Sequence, residues 1–101
     1  MFEKDIKRQI LNWLLRRPKT YCWTQASVGI YDHNLGFFRS APKKGIPDII
    51  CCIDGKFVGI EVKRPGNKLS EAQKGFKAGI ELAGGVYAVV FSLEETKRLF
   101  S

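Results

Sequence analysis

The chain has 101 residues and carries 17 Lys and Arg against 10 Asp and Glu, a formal charge of +7. That length fits one domain with one core, because folding at this size buries roughly two-thirds of the unfolded surface. A hydrophobic fraction of 45% and a charged fraction of 27% exclude disordered and low-complexity classes. No apolar run approaches the ~20 residues that span a bilayer, and the N-terminus lacks the layout of a signal peptide. The expectation is a soluble, cytoplasmic protein with no membrane partner. The positive excess points to a polyanion, with a basic surface kept for solubility as the plain alternative. It is unevenly placed: residues 1–47 hold nine basic and three acidic side chains, residues 48–101 eight and seven.

Residues 2–15 have helical periodicity, with Phe2, Ile6, Ile10, Trp13 and Leu14 on one stripe and Pro18 beyond the end. Glu3 projects within that stripe, where a carboxylate needs a partner or serves only the positive end of the helix. Residues 21–28 are aromatic and β-branched and predict a strand. Residues 29–46 form a long, glycine-punctuated connection, either a functional loop or a short element without a clear signature. It carries Arg39, Lys43 and Lys44, with Phe37 and Phe38 side by side. Two apolar runs, 47–53 and 56–62, flank Asp54-Gly55, the strongest short-range hairpin signal. Ser70 opens a second helix with Ala72, Phe76, Ile80 and Ala83 on one face, and Gly84-Gly85 stops it. Residues 86–91 form an all-apolar strand of the buried kind. Ser92 with Glu95 opens a final helix. The expected order is α-β-β-β-α-β-α, with a right-handed crossover through the second helix.

The three cysteines argue against a disulfide framework, since the count is odd and Cys51 and Cys52 are neighbours. With no C-x-x-C and a single histidine, His33, a structural zinc site has no ligand set. All three are expected as buried free thiols, and Trp13 and Trp23 as core residues.

The hairpin register follows from its turn. A two-residue loop at Asp54-Gly55 pairs Ile53 with Lys56 and, further along, Asp48 with Glu61. Side chains alternate along a strand, so Lys63 shares the face of Glu61. Opposed positions bring Cβ atoms to roughly 4.5–5.5 Å, where two like charges are destabilising unless a proton or cation lies between them. Carboxylate oxygens with open positions suit Mg²⁺, with Mn²⁺ a possible substitute, and a nearby lysine can offset developing negative charge. A self-neutralising Asp–Lys–Glu cluster on a solvated face is the non-catalytic alternative.

Pro47-Asp48 followed thirteen residues later by Glu61-x-Lys63 resembles the PD-(D/E)XK nuclease signature. The wider string, Gly45-Ile-Pro-Asp48, Gly59-Ile-Glu61-Val-Lys63-Arg-Pro-Gly and Leu69-Ser-Glu-Ala-Gln73, is similar to the VRR-Nuc (virus-type replication-repair nuclease) domains of stand-alone phage and bacterial type. The resemblance implies a restriction-endonuclease-like α/β fold over residues 1–101, with a mixed sheet flanked by helices. It implies that Asp48 and Glu61, with the backbone carbonyl of Val62, hold a catalytic Mg²⁺, and that Lys63 positions the attacking water. Glu3 would complete the metal site or support it from just outside, and Gln73 would sit close to it at the start of the second helix, where Ser70-x-x-Gln73 is also a capping box. Arg39, Lys43, Lys44, Arg64 and Lys68 would bind DNA phosphates. The implied activity is a metal-dependent DNA endonuclease acting as a homodimer on branched DNA such as four-way (Holliday) junctions. A flap-cutting or restriction-type nuclease of a mobile element, and a non-catalytic nucleic-acid-binding module of the same fold, remain alternatives.

Overall fold

The computed structural model describes residues 2–24, 30–32, 37–39 and 44–101. Its elements are α1 (Glu3–Leu15), β1 (Thr20–Thr24), β2 (Ile30–Asp32), β3 (Phe37–Arg39), β4 (Ile49–Ile53), β5 (Lys56–Val62), α2 (Glu71–Leu82), β6 (Val86–Val90) and α3 (Leu93–Phe100). Four strands form a mixed sheet in the order β1-β4-β5-β6. The β1/β4 and β4/β5 pairs are antiparallel, and β5/β6 is parallel. A parallel neighbour requires a crossover connection, which α2 supplies. This is the mixed α/β architecture expected, with one difference. The long connection contains β2 and β3, which pair antiparallel in a sheet of their own. Ile30-Tyr31 and Phe37-Phe38 are β-branched and aromatic enough for strands, but three residues each is too short for a periodic signal. The predicted strand continuation over 25–28 lies outside the described residues, as do Lys43 and the side chains of Phe37, Phe38 and Arg39.

Hairpin turn chemistry sets the register. Asp54 and Gly55 both have positive φ, 52° and 80°, which suits the twist of a two-residue hairpin loop. Ile53 pairs with Lys56 and Ile49 with Ile60, the alignment read from the sequence.

The core lies between one face of the sheet and α1. Ile10 and Leu14 meet Cys22, Ile49, Cys51, Val58, Ile60, Val62 and Val90, with Ile6, Trp13, Leu93 and Phe100 packed around them. Fully burying each such aliphatic side chain is worth about 1.5–3 kcal/mol. Phe2 departs from the predicted stripe: it is the N-cap residue of α1 and is 64% exposed. The opposite face is covered more thinly, because α2 packs mainly on β6 and buries no residue completely. That explains two further departures. Cys52 is exposed, since alternation turns it away from buried Cys51. Trp23, its neighbour on that face, is 44% exposed instead of a core residue. Cys22 and Cys51 are buried free thiols opposed across β1 and β4, and burial pushes Cys51 up to about 12. Among the described residues no helix is long and apolar enough to cross a membrane.

Gly45 shows how tightly the segment before β4 is seated. Its φ is +82°, and a Cβ there would lie 2.2 Å from the carbonyl oxygen of Ala72 in α2. Gly55 has a similar φ but open space around it. Gly45→Ala should therefore cost on the order of 2–4 kcal/mol, combining strain with steric displacement, and Gly55→Ala only about 1–2 kcal/mol. Urea unfolding of the two variants checks this; equal losses would contradict the close approach at Ala72.

Candidate active site

Three pieces of chain meet where β4 begins and β5 ends. Pro47 is buried and leads into Asp48. A Cβ at Gly59 would lie 2.6 Å from Cγ of Pro47, so glycine is what lets the Pro47-Asp48 segment lie against β5. Gly45 does the same against α2. Together these contacts place Asp48 beside Glu61 and the first turn of α2.

The two carboxylates are tied to each other's backbone. The Asp48 N–H donates to Glu61 Oε1 at 3.2 Å, and the Val62 N–H donates to Asp48 Oδ2 at 2.9 Å. Among the described residues, each acid has one oxygen without a main-chain donor. Glu61 Oε2 accepts from Gln73 Nε2 at 3.1 Å and lies 3.9 Å from Lys63 Nζ. Asp48 Oδ1 lies 3.5 Å from Lys7 Nζ. Lys63 is itself held by its N–H, which donates to the Val90 carbonyl of β6 at 3.0 Å.

Gln73 serves two structures. Its Oε1 accepts from the Ser70 N–H at 2.8 Å while the Gln73 N–H donates to Ser70 Oγ at 3.2 Å, closing the capping box of α2. The amide NH₂ of the same side chain reaches Glu61. One side chain thus closes the capping box and contacts Glu61.

Glu61 is only 5% exposed. Burial, and then the adjacent Asp48 charge, push its carboxyl up to about 7, against the opposing pull of Lys63. Close by, Tyr87 is buried against Phe76 of α2, with ring centroids 6.2 Å apart, and its hydroxyl has no partner among the described residues. Burial and the Glu61 and Asp48 charges raise Tyr87 in turn, so it stays a neutral phenol.

Other residues singled out from the sequence occupy varied positions. Glu3 lies in the first turn of α1 and is half-buried. Among the described residues no group of three His, Cys, Asp or Glu side chains could hold a metal ion, so Glu3 does not join Asp48 and Glu61 in such a group. The α1 side chain that reaches Asp48 is Lys7, one turn further on. Sequence reasoning missed it, although its spacing of four from Glu3 puts both on one helix face. Val62 takes part through its N–H. Arg64 is exposed and lies over the Phe2 ring, 6.0 Å from its centroid. Lys44 is exposed beside a groove lined by Ala72 and Phe76, and Lys68 is exposed ahead of α2.

No family model matches the sequence, and no curated protein matches it. A solved structure does: a VRR_NUC domain protein, 19% identical, superposes with a TM-score of 0.66 over 98% of this chain and 84% of its own. The chain has the VRR_NUC fold. In this fold the Asp48, Glu61 and Lys63 constellation is built by the hairpin, and α2 adds Gln73.

The buried pair makes stability depend on pH. Glu61 is harder to ionise in the folded protein than in the unfolded chain, so its contribution is full below about pH 4.5 and is lost as pH rises through about 7. Without divalent metal, the protein should lose on the order of 2–3 kcal/mol between pH 5 and 8 from this group. Denaturant unfolding across that range measures it; a flat or rising profile in wild type would contradict the buried pair.

Proposed function

We propose that the chain is a divalent-metal-dependent DNA endonuclease of the VRR-Nuc family, acting on branched DNA. The observation that carries this reading is the mutual anchoring of Asp48 and Glu61. Two carboxylates are fixed side by side, one of them buried, each with one oxygen that no main-chain donor reaches among the described residues. The crowding of like charge is the condition that a divalent cation relieves. An all-oxygen site with two acids suits Mg²⁺ or Mn²⁺, which retain waters and share substrate phosphates. Asp48 and Glu61 would hold the ion, with the Val62 carbonyl as a further donor. When bound, it would polarise the scissile phosphate and make a water nucleophilic at neutral pH.

The remaining residues have defined tasks. Lys63, held beside Glu61, is placed to orient the attacking water and offset the negative charge that grows on the phosphate oxygens as the P–O bond breaks. Gln73 fixes the orientation of the Glu61 carboxylate, and the start of α2 presents a positive helix end toward an incoming phosphate. Arg39, Lys43, Lys44, Arg64 and Lys68 would grip the flanking backbone, in keeping with the surplus of positive charge in residues 1–47. One such centre makes one nick, so symmetrical cutting of a four-way junction requires two, and a homodimer is the assembly that supplies them. A cytoplasmic setting in a bacterium or phage-infected cell fits this reading.

Cleavage of matched linear, flap and four-way-junction DNAs, with and without Mg²⁺, tests the proposal. Wild type should cut the junction only with metal. Asp48→Asn should abolish that cutting, and Lys63→Ala should lower kcat/KM by about 10²-fold or more. Absence of metal-dependent cleavage on every substrate would overturn the enzyme reading in favour of a binding module. Equal cutting of all three would overturn structure selectivity, and sequence-dependent cutting of linear duplex would identify a restriction-type enzyme instead.

A further inference from the structure

The free oxygen of Asp48 is not open to solvent on all sides. Lys7 Nζ stands 3.5 Å from Oδ1, the oxygen that lacks a main-chain donor among the described residues. Glu61 has the same arrangement on its own side, with Oε2 facing Lys63 at 3.9 Å. Two carboxyl groups and two ammonium groups thus form a close quartet. Their provenance differs. Lys63 extends from the strand that carries Glu61, and its backbone is locked into the β6 ladder. Lys7 comes from α1 on a long flexible stem and retains 34% side-chain exposure, so it can leave without disturbing the fold. Its helix is fixed in place by the buried Ile10 and Leu14 of the following turns.

We propose that Lys7 is a tethered cation that competes with divalent metal for Asp48 Oδ1 and, once displaced, binds a DNA phosphate. This rests on the reading of Asp48 and Glu61 as metal-holding residues. Before metal arrives, Lys7 offsets the charge of Asp48 and keeps the pair compatible with folding. When an ion takes Oδ1, the ammonium loses its partner beside a centre that has gained positive charge. A phosphate diester is the anion that the proposed substrate brings to that position. Metal binding and DNA binding are thereby coupled through one side chain: the ion releases Lys7, and DNA captures it. Toward the ion, Lys7 is a positioning residue that acts through Asp48.

Mn²⁺ titration calorimetry without DNA, on wild type, Lys7→Met, Lys7→Arg and Asp48→Asn, provides the test, with circular dichroism confirming that each variant folds. Removing the competing charge should tighten Mn²⁺ binding by Lys7→Met about three- to tenfold, while Lys7→Arg stays near wild type. In Ca²⁺, which fills oxygen sites, fluorescence anisotropy should show Lys7→Met binding four-way-junction DNA about three- to tenfold more weakly, with a salt slope lower by about one. Unchanged or weaker Mn²⁺ binding by Lys7→Met would overturn the inference, and so would unchanged DNA binding. If wild type binds Mn²⁺ and Asp48→Asn does not, such a failure falls on Lys7 alone. If wild type binds no Mn²⁺, the metal reading and the inference fall together.

Discussion

The reciprocal lacing of Asp48 and Glu61 is the constraint around which the rest of this small protein is arranged. Each acid accepts a hydrogen bond from the backbone of the other's strand segment, Asp48 N–H to Glu61 and Val62 N–H to Asp48. These bonds hold two like charges together where they would otherwise separate. The hairpin must therefore have one register, because a slip of one residue would turn Glu61 onto the core face beside Ile49 and turn Ile60 and Val62 out of the core. The Asp54-Gly55 turn fixes that register at the far end, and the close approaches of Gly45 and Gly59 fix the near end.

The two faces of the sheet divide the work. The α1 face carries the continuous aliphatic core that stabilises the domain. The α2 face carries the ionisable groups and is covered by a helix with no fully buried residue. A buried carboxyl raised to about 7 is destabilising at neutral pH, and the cost is tolerable only because the other face packs well. The charges around the pair come from separate elements: Lys63 from the end of β5, Lys7 from α1. Balance within the site is thus a property of tertiary packing.

That distinction accounts for what could be read from the residues alone. The Asp54-Gly55 turn and the period-two alternation are local, and they were enough to align Asp48 with Glu61 and put Lys63 on the same side. Ser70 and Gln73 form a local capping box, which located the start of α2. Lys7 was not legible, because its approach to Asp48 depends on how α1 is rotated over the sheet, and Ile10 and Leu14 decide that through contacts distant in sequence. The exposure of Trp23 and Cys52 was hidden for a related reason. Alternation assigns side chains to faces, but which face a helix covers, and over which strands, is settled by packing. The strands β2 and β3 were too short to outweigh the glycines around them.

Gln73 draws these levels into one residue. A capping box is satisfied equally well by glutamine or glutamate, since either supplies the oxygen that accepts from the cap N–H. Here the oxygen is committed to Ser70, and the other end of the side chain must donate to Glu61 Oε2. Glutamate has no hydrogen to give and would add a third negative charge beside a carboxyl already reluctant to ionise. The start of this helix is therefore written in a two-letter alphabet by the rules of helices, and the neighbouring acid strikes out one letter. An amide at position 73 records the presence of the site in a place where secondary structure alone is indifferent.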